Sequence, residues 1–335
     1  MLKLRILSFI VVLLSLVSCS NNLIFESEGD CGVYYRIGFK YDYNMKFADA
    51  FANEVNSIAL YVFNEDSILV QEVKTADKNE LGTGSFEIPL ELAPGKYILL
   101  AWGGLMEEES FDLLAEPVVG QTKIDEMMVK MRRGVNADGV CVVEEDLKPL
   151  YHGCMPLEVT AVDGTYSETM SLMKNTNNIR IMLQELSGGS VDADKFIFEI
   201  TDANGLYAWD NSRLDDEKII YSPWSVKTAT TEMEETRAVT TVSVALAEHT
   251  IGRMSVGKSP LLTVRNRESG EVVLKLPVAD YALMTKGEYN RDMGNQEFLD
   301  RQDEYTMTFF LNEGEWVSST IIINSWVVVV NEAEL

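Results

Sequence analysis

The sequence predicts an all-β protein: two tandem antiparallel β-sandwich domains with a few short helices. Three observations carry that expectation. Short stretches alternate apolar and polar side chains with period two, the signature of half-buried strands. Turns rich in Asn, Asp, Gly and Pro separate them. A polar run, Lys174-Asn175-Thr176-Asn177-Asn178, divides the alternation into two series. Strand following strand, with few helices between, is the pattern of packed sheets.

The chain begins with a segment that is not part of that pattern. Lys3 and Arg5 are followed by an apolar run from Ile6 to Leu16, too short to span a bilayer as a stable helix. A small residue, Ser18, then precedes Cys19. The order predicts a lipoprotein signal over residues 1–18, cleaved between Ser18 and Cys19, with Cys19 acylated and holding the protein on a membrane. Residues 19–30 are polar and acidic and read as a tether. Residues 31–174 and 175–335 are the expected domains.

The 335 residues carry a formal net charge of −25. Loss of Lys3 and Arg5 with the signal makes it −27. A surface this acidic repels phosphate backbones and anionic headgroups, so no nucleic-acid partner is expected and the membrane is reached through lipid. With Cys19 acylated, Cys31, Cys141 and Cys154 remain. At most one disulfide can form among them, and spacing does not choose the pair.

Val33, Tyr35, Ile37 and Phe39 define a first strand. Phe47, Phe51 and Val55 recur every four residues, so Met45–Val55 is expected to be a short helix. Ser57–Phe63 and Ile68–Val73 are strands around an Asn64-Glu65-Asp66 turn. Phe86, Ile88, Leu90 and Leu92 alternate, and Pro89 places that strand at an edge or bulge. Pro94-Gly95 turns into a strand over Lys96–Trp102. Ile124, Met127, Met128 and Met131 form a helical stripe facing a core. Leu150–Val159 and Tyr166–Met173 complete the first series. The second comprises Ile179–Leu183, Phe196–Ile200, Val239–Ala247, Leu261–Arg265, Val272–Leu276, Tyr305–Leu311 and Ser319–Val330. Asn204-Gly205 is a hairpin signal. The long apolar run from Ile321 to Val330 is expected to be a buried closing strand with Trp326 in the core.

Catalytic signals are weak. No phosphate loop, dinucleotide fingerprint or nucleophile elbow is present. His152 and Cys154 could share a strand face, but lack an orienting third group. Asp210–Glu217 is rich in oxygen ligands yet lacks the glycine and alternation of a calcium loop, and reads as a solvated acidic loop. No catalytic residue, metal site or cofactor is expected, and the protein is not expected to be an enzyme. Trp209 and Trp224 could stack on sugar rings if exposed, though core packing is the simpler role.

Several segments resemble the FimB-type fimbrial anchor family, the lipid-tethered accessory subunits of type V fimbriae. These are Phe39–Asn44, Asp49–Phe51, Ile58–Phe63, Pro94–Tyr97 leading to Ala101–Gly104, Leu150–Gly153, Lys174–Asn178, Leu299–Tyr305 and Ile323–Trp326. The resemblance implies two transthyretin-like sandwiches and a place at the fimbrial base, attaching the fibre to the outer membrane and limiting its length. It implies pilin subunits as partners, joined by strand exchange. Stalk subunits of such fibres are cut at an arginine that frees an N-terminal strand. Here Arg36 lies inside the first strand, where a cut would release the tether, so such processing is not expected. The competing expectation is a surface glycan-binding or adhesin lipoprotein on the same scaffold.

Overall fold

The structure, a computed structural model, describes residues 33–106, 110–160, 162–235 and 238–329. The chain runs through β1 (Val33–Lys40), α1 (Phe51–Glu54), β2 (Ile58–Phe63), β3 (Leu69–Thr75), α2 (Lys78–Leu81), β4 (Glu87–Glu91) and β5 (Gly95–Gly103). Then come β6 (Phe111–Leu113), β7 (Val129–Met131), β8 (Gly134–Val135), β9 (Cys141–Val143), β10 (Tyr151–Val159), β11 (Gly164–Ser171) and β12 (Met173–Lys174). The second half holds β13 (Thr176–Glu185), β14 (Phe196–Asp202), β15 (Leu206–Tyr207), β16 (Ile219–Tyr221), β17 (Ser225–Glu235) and β18 (Ala238–Gly252). It ends with β19 (Leu261–Asn266), β20 (Val272–Pro277), α3 (Val278–Leu283), α4 (Asn295–Arg301), β21 (Glu304–Asn312), β22 (Glu315–Ile323) and β23 (Trp326–Val329). The mostly-β architecture expected from the alternation is what the chain adopts.

In the first sandwich a three-stranded sheet, β11-β1-β4, packs on a five-stranded sheet, β12-β10-β5-β2-β3. Alternation on β1 buries Tyr35, Ile37 and Phe39. They share an apolar cluster with Ile58, Leu60 and Val62 of β2. The other face of β2 is buried as well. Ala59, Tyr61 and Phe63 join Phe111, Ile124 and Met127 in a second cluster, because the segment after β5 folds back over that face. A strand covered on both sides needs apolar residues at every position, and β2 has them. Pro89 lies on β4, at the edge of its sheet, where a missing N–H costs no ladder bond.

The second sandwich packs β17-β18-β13-β21-β22-β23 on β20-β19-β14-β16-β9-β8. Ile179, Ile181 and Leu183 share one cluster with Phe198, Ile200, Leu262 and Val264. The last two strands of its second sheet, β8 and β9, come from before Lys174; β9 pairs in parallel with β16, Cys141 opposite Ile219. The halves of the chain are therefore interleaved. The polar Lys174–Asn178 run is mostly buried: Asn175, Thr176 and Asn177 are inside, and β13 starts within it.

Four local expectations are corrected. The helix over Met45–Val55 shrinks to Phe51–Glu54, because Asn44 and Asp49 bond nearby backbone. Asn44 accepts from the Lys46 N–H and donates to the Tyr41 and Ala48 carbonyls, and Asp49 accepts from the N–H groups of Tyr41 and Phe51. Such bonds compete with helix formation, and Phe47 takes a φ of 51°. The methionine stripe is a single 3-10 turn, Ile124–Glu126, followed by β7, although Ile124, Met127 and Met131 do face the core. Asn204-Gly205 closes no hairpin. The chain crosses there to pair β15 with β7, and a Cβ at Gly205 would lie 2.7 Å from Arg133 and Ile219 side-chain atoms.

The fourth correction concerns the C-terminus. The run Ile321–Val330 is not one buried strand. It bends at Asn324-Ser325, both at positive φ (47° and 70°), into a two-residue hairpin. The Asn324 side chain fixes this turn. Its Oδ1 accepts from the Thr306 N–H at 2.7 Å and its Nδ2 donates to the Glu304 carbonyl at 3.0 Å. Trp326 consequently leaves the core and is 56% exposed.

Candidate functional site

Two regions stand out: the seam between the sandwiches and the open edge at β23. At the seam, Lys174 is almost buried and donates to Asp303 at 2.6 Å, with Glu54 of α1 at 3.7 Å. Arg301 on α4 donates to the Asp42 carbonyl at 3.3 Å and stacks between Tyr43 and Phe47, 4.0 and 4.9 Å from their ring centres. The Met45 N–H returns a bond to the Arg301 carbonyl. His152 of β10 donates from Nε2 to the Trp209 carbonyl at 2.8 Å, and Asn175 and Asn211 exchange amide bonds. Desolvated, charge-assisted contacts of this kind resist sliding. Sequence reasoning missed this chemistry, since partners such as Lys174 and Asp303 are far apart in the chain.

Ser18 and Cys19, the expected cleavage and lipidation residues, lie outside the described residues, as do residues 19–30 and Cys31. Cys141 and Cys154 are free thiols. Cys141 donates to Glu217 at 3.4 Å, and burial raises its pKa. His152 and Cys154 are near in sequence but not poised for chemistry. Burial lowers the His152 pKa to about 4, and its Nε2 proton is committed to Trp209. Surrounding protein and the Asp210 carboxylate push the Cys154 thiol up to about 11, away from the thiolate a nucleophile needs.

The acids of Asp210–Glu217 diverge. Asp210 caps a turn through the Ser212 N–H and hydroxyl. Asp216 is not solvated as expected: its side chain is buried and holds Arg133 at 2.5 and 2.6 Å. Among the described residues, no three His, Cys, Asp or Glu side chains converge as a metal set, and no helix is long and apolar enough to cross a membrane. Trp209 packs against the core, whereas Trp224 is 41% exposed.

The open edge has a different character. Among the described residues β23 pairs only with β22, so its other side has no strand partner there. Trp326 and Val327 are exposed on it while Val328 is buried. Arg36, by contrast, sits on β1 between β11 and β4, its backbone enclosed by neighbours on both sides.

The chain is thus all-β, with two sandwiches, a bonded seam and an open apolar edge at β23, and the comparisons with known proteins give it a family. Residues 27–332 match the family described as fimbrillin-A associated anchor proteins Mfa1 and Mfa2. The chain belongs to that family. A proposed adhesin from Bacteroides thetaiotaomicron is 33% identical, with a TM-score of 0.80 over 91% of this chain and 100% of that one. A second protein of that organism, proposed to bind polysaccharide, is 27% identical, with a TM-score of 0.76 over 90% and 100%. The fimbrial anchor protein Mfa2 of Porphyromonas gingivalis shares the fold, at 15% identity and a TM-score of 0.65 over 90% and 100%. No curated protein matches in sequence. The family is one of fimbrial anchor and accessory proteins, not of enzymes.

Proposed function

We propose that this protein is the lipid-anchored base subunit of a surface fimbrium. Cys19 carries the lipid in the outer membrane, and the body attaches the fibre and limits its length. The family match over residues 27–332 carries the proposal, and the ordered signal ending at Ser18-Cys19 supports the tether. The enclosed position of Arg36 supports a chain that keeps its first strand rather than being processed as a stalk subunit. The exposed edge of β23 supports docking of a pilin by strand pairing, in which backbone bonds give affinity and alternate side chains give specificity. The expected division near Lys174–Asn178 is kept as the boundary between the two assembling bodies, with β8 and β9 reaching across it. Deleting the gene tests the proposal. Pilin synthesis should persist while fibres are shed or become abnormally long; normal fibres still attached would contradict it.

A second reading, a surface glycan-binding or adhesin lipoprotein, has a specific observation in its favour: the partly exposed ring of Trp224. The descriptions of the two Bacteroides thetaiotaomicron relatives point the same way.

A further inference from the structure

We propose that the cleft at the seam between the sandwiches is a carbohydrate site, taking a short neutral saccharide with Trp224 as its stacking platform. The inference rests on the glycan-binding reading and gives it a location. The cleft encloses about 440 Å³ and draws its walls from both halves, Asn56 and Lys174 on one side and Arg180 and Trp224 on the other. Small-molecule sites favour such seams and typically occupy about 300–1,000 Å³.

A pyranose presents one C–H face and a rim of hydroxyls. Its complement is an aromatic ring beside fixed polar groups, apolar in its body and able to sit at a wet boundary. The backbone N–H of Trp224 donates to the Glu248 carbonyl at 2.9 Å, which fixes the strand entry carrying the ring. Arg180 is held by two bonds to Glu248 Oε1, at 3.1 and 2.7 Å, and Lys174 is held by Asp303. Groups already immobilised cost less entropy when a ligand arrives.

His249 and Tyr305 sit behind the cleft: both stand opposite Ile179 on the core-facing side of their sheet, and their polar atoms are shielded from it. The exposed amides of Asn56 and Asn178 line the cleft with Trp224, and such neutral donor and acceptor groups suit hydroxyls. The charged lining is balanced, Asp146, Glu248 and Glu304 against Lys148, Lys174 and Arg180, so it supplies no net cation for an acidic sugar, and the chain's charge of −25 disfavours one.

The test uses the full chain in a non-glycosidic detergent. Calorimetry and tryptophan fluorescence follow titration with dextran, yeast mannan, arabinoxylan and galactan, and with polygalacturonate and chondroitin sulfate as acidic probes. At least one neutral glycan should bind. Trp224→Ala should weaken it by about tenfold or more, Trp224→Phe should restore part of the loss, and Trp326→Ala should match wild type. Circular dichroism confirms folding of each variant; if Trp224→Ala does not fold, Trp224→Phe and Asn178→Ala carry the comparison. Neutral glycan binding untouched by these changes would overturn the site while leaving the glycan-binding reading standing. Binding of acidic probes alone would also overturn the site. No binding to any probe would overturn both.

Discussion

The two sandwiches differ at their sheet edges: the first blunts three of its four, leaving β11, and the second carries the longest edge and an apolar one. β4 carries Pro89, β12 has only two residues, and β3 is covered by the segment around Thr122, which accepts from the Leu69 N–H at 2.9 Å. In the second sandwich β17 is an eleven-residue edge, and β23 exposes Trp326 and Val327. Exposed edges invite pairing with another chain, and proteins normally blunt them. A molecule that blunts most edges of one body and fewer of the other has a direction. The blunted body follows the expected tether, and the more open one is where a partner strand can add.

The interiors, unlike the edges, are alike, and acid should affect both. His152 in β10 and His249 in β18 are buried, each with its pKa lowered to about 4. The unfolded chain binds these protons near pH 6.5 and the folded chain does not until about 4. The stability they allow at neutral pH is therefore lost as pH falls through that window, by about 3 kcal/mol for each histidine. Denaturant unfolding at stepped pH measures it. His249→Phe should roughly halve the slope; an unchanged slope would mean that His249 titrates alike in the folded and unfolded chain.

The seam is the next largest effect. Lys174→Met leaves Asp303 and Glu54 without their shared cation and should cost about 1–3 kcal/mol. Limited proteolysis should then cut between the sandwiches before either is lost. If both remain protected as in wild type, the other contacts, such as Arg301 between Tyr43 and Phe47, hold the seam alone.

The smallest effect on stability should be the most informative about partners. Val327→Lys places a charge on an exposed edge residue and should change stability by less than about 0.5 kcal/mol. Pilin capture by the purified protein should nevertheless fall sharply, because an edge lysine opposes strand addition. Undiminished capture would move docking away from β23, with β17 as the next edge to alter.

How much of this was legible in the sequence depended on whether local pattern or distant contact decided the outcome. Alternation located β1, β4, β13 and β14, because a face-by-face period is written in consecutive residues. Pro89 announced an edge for a covalent reason. The helix at Met45 failed because Asn44 and Asp49 rebuilt the backbone locally, which hydrophobic period does not record. The tryptophans were separable only in three dimensions: Trp209 packs inward, and Trp224 and Trp326 do not. Trp326 misled because Asn324-Ser325 is an uncommon sequence for a turn needing two positive φ values. The Lys174 run looked like a separator because its partners, Asp303, Asn211 and Gln302, are remote in sequence.

The central claim is that one end of the molecule is fixed to the membrane while the other holds a fibre. Replacing Cys19 with Ala in cells, and following both this protein and the pilin in membrane and medium fractions, tests it most directly. Both proteins should leave the membrane together, with the fibres shed and pilin synthesis unchanged. If Cys19→Ala protein stays in the membrane to the wild-type extent and fibres of normal length remain on the cells, the anchor account is wrong.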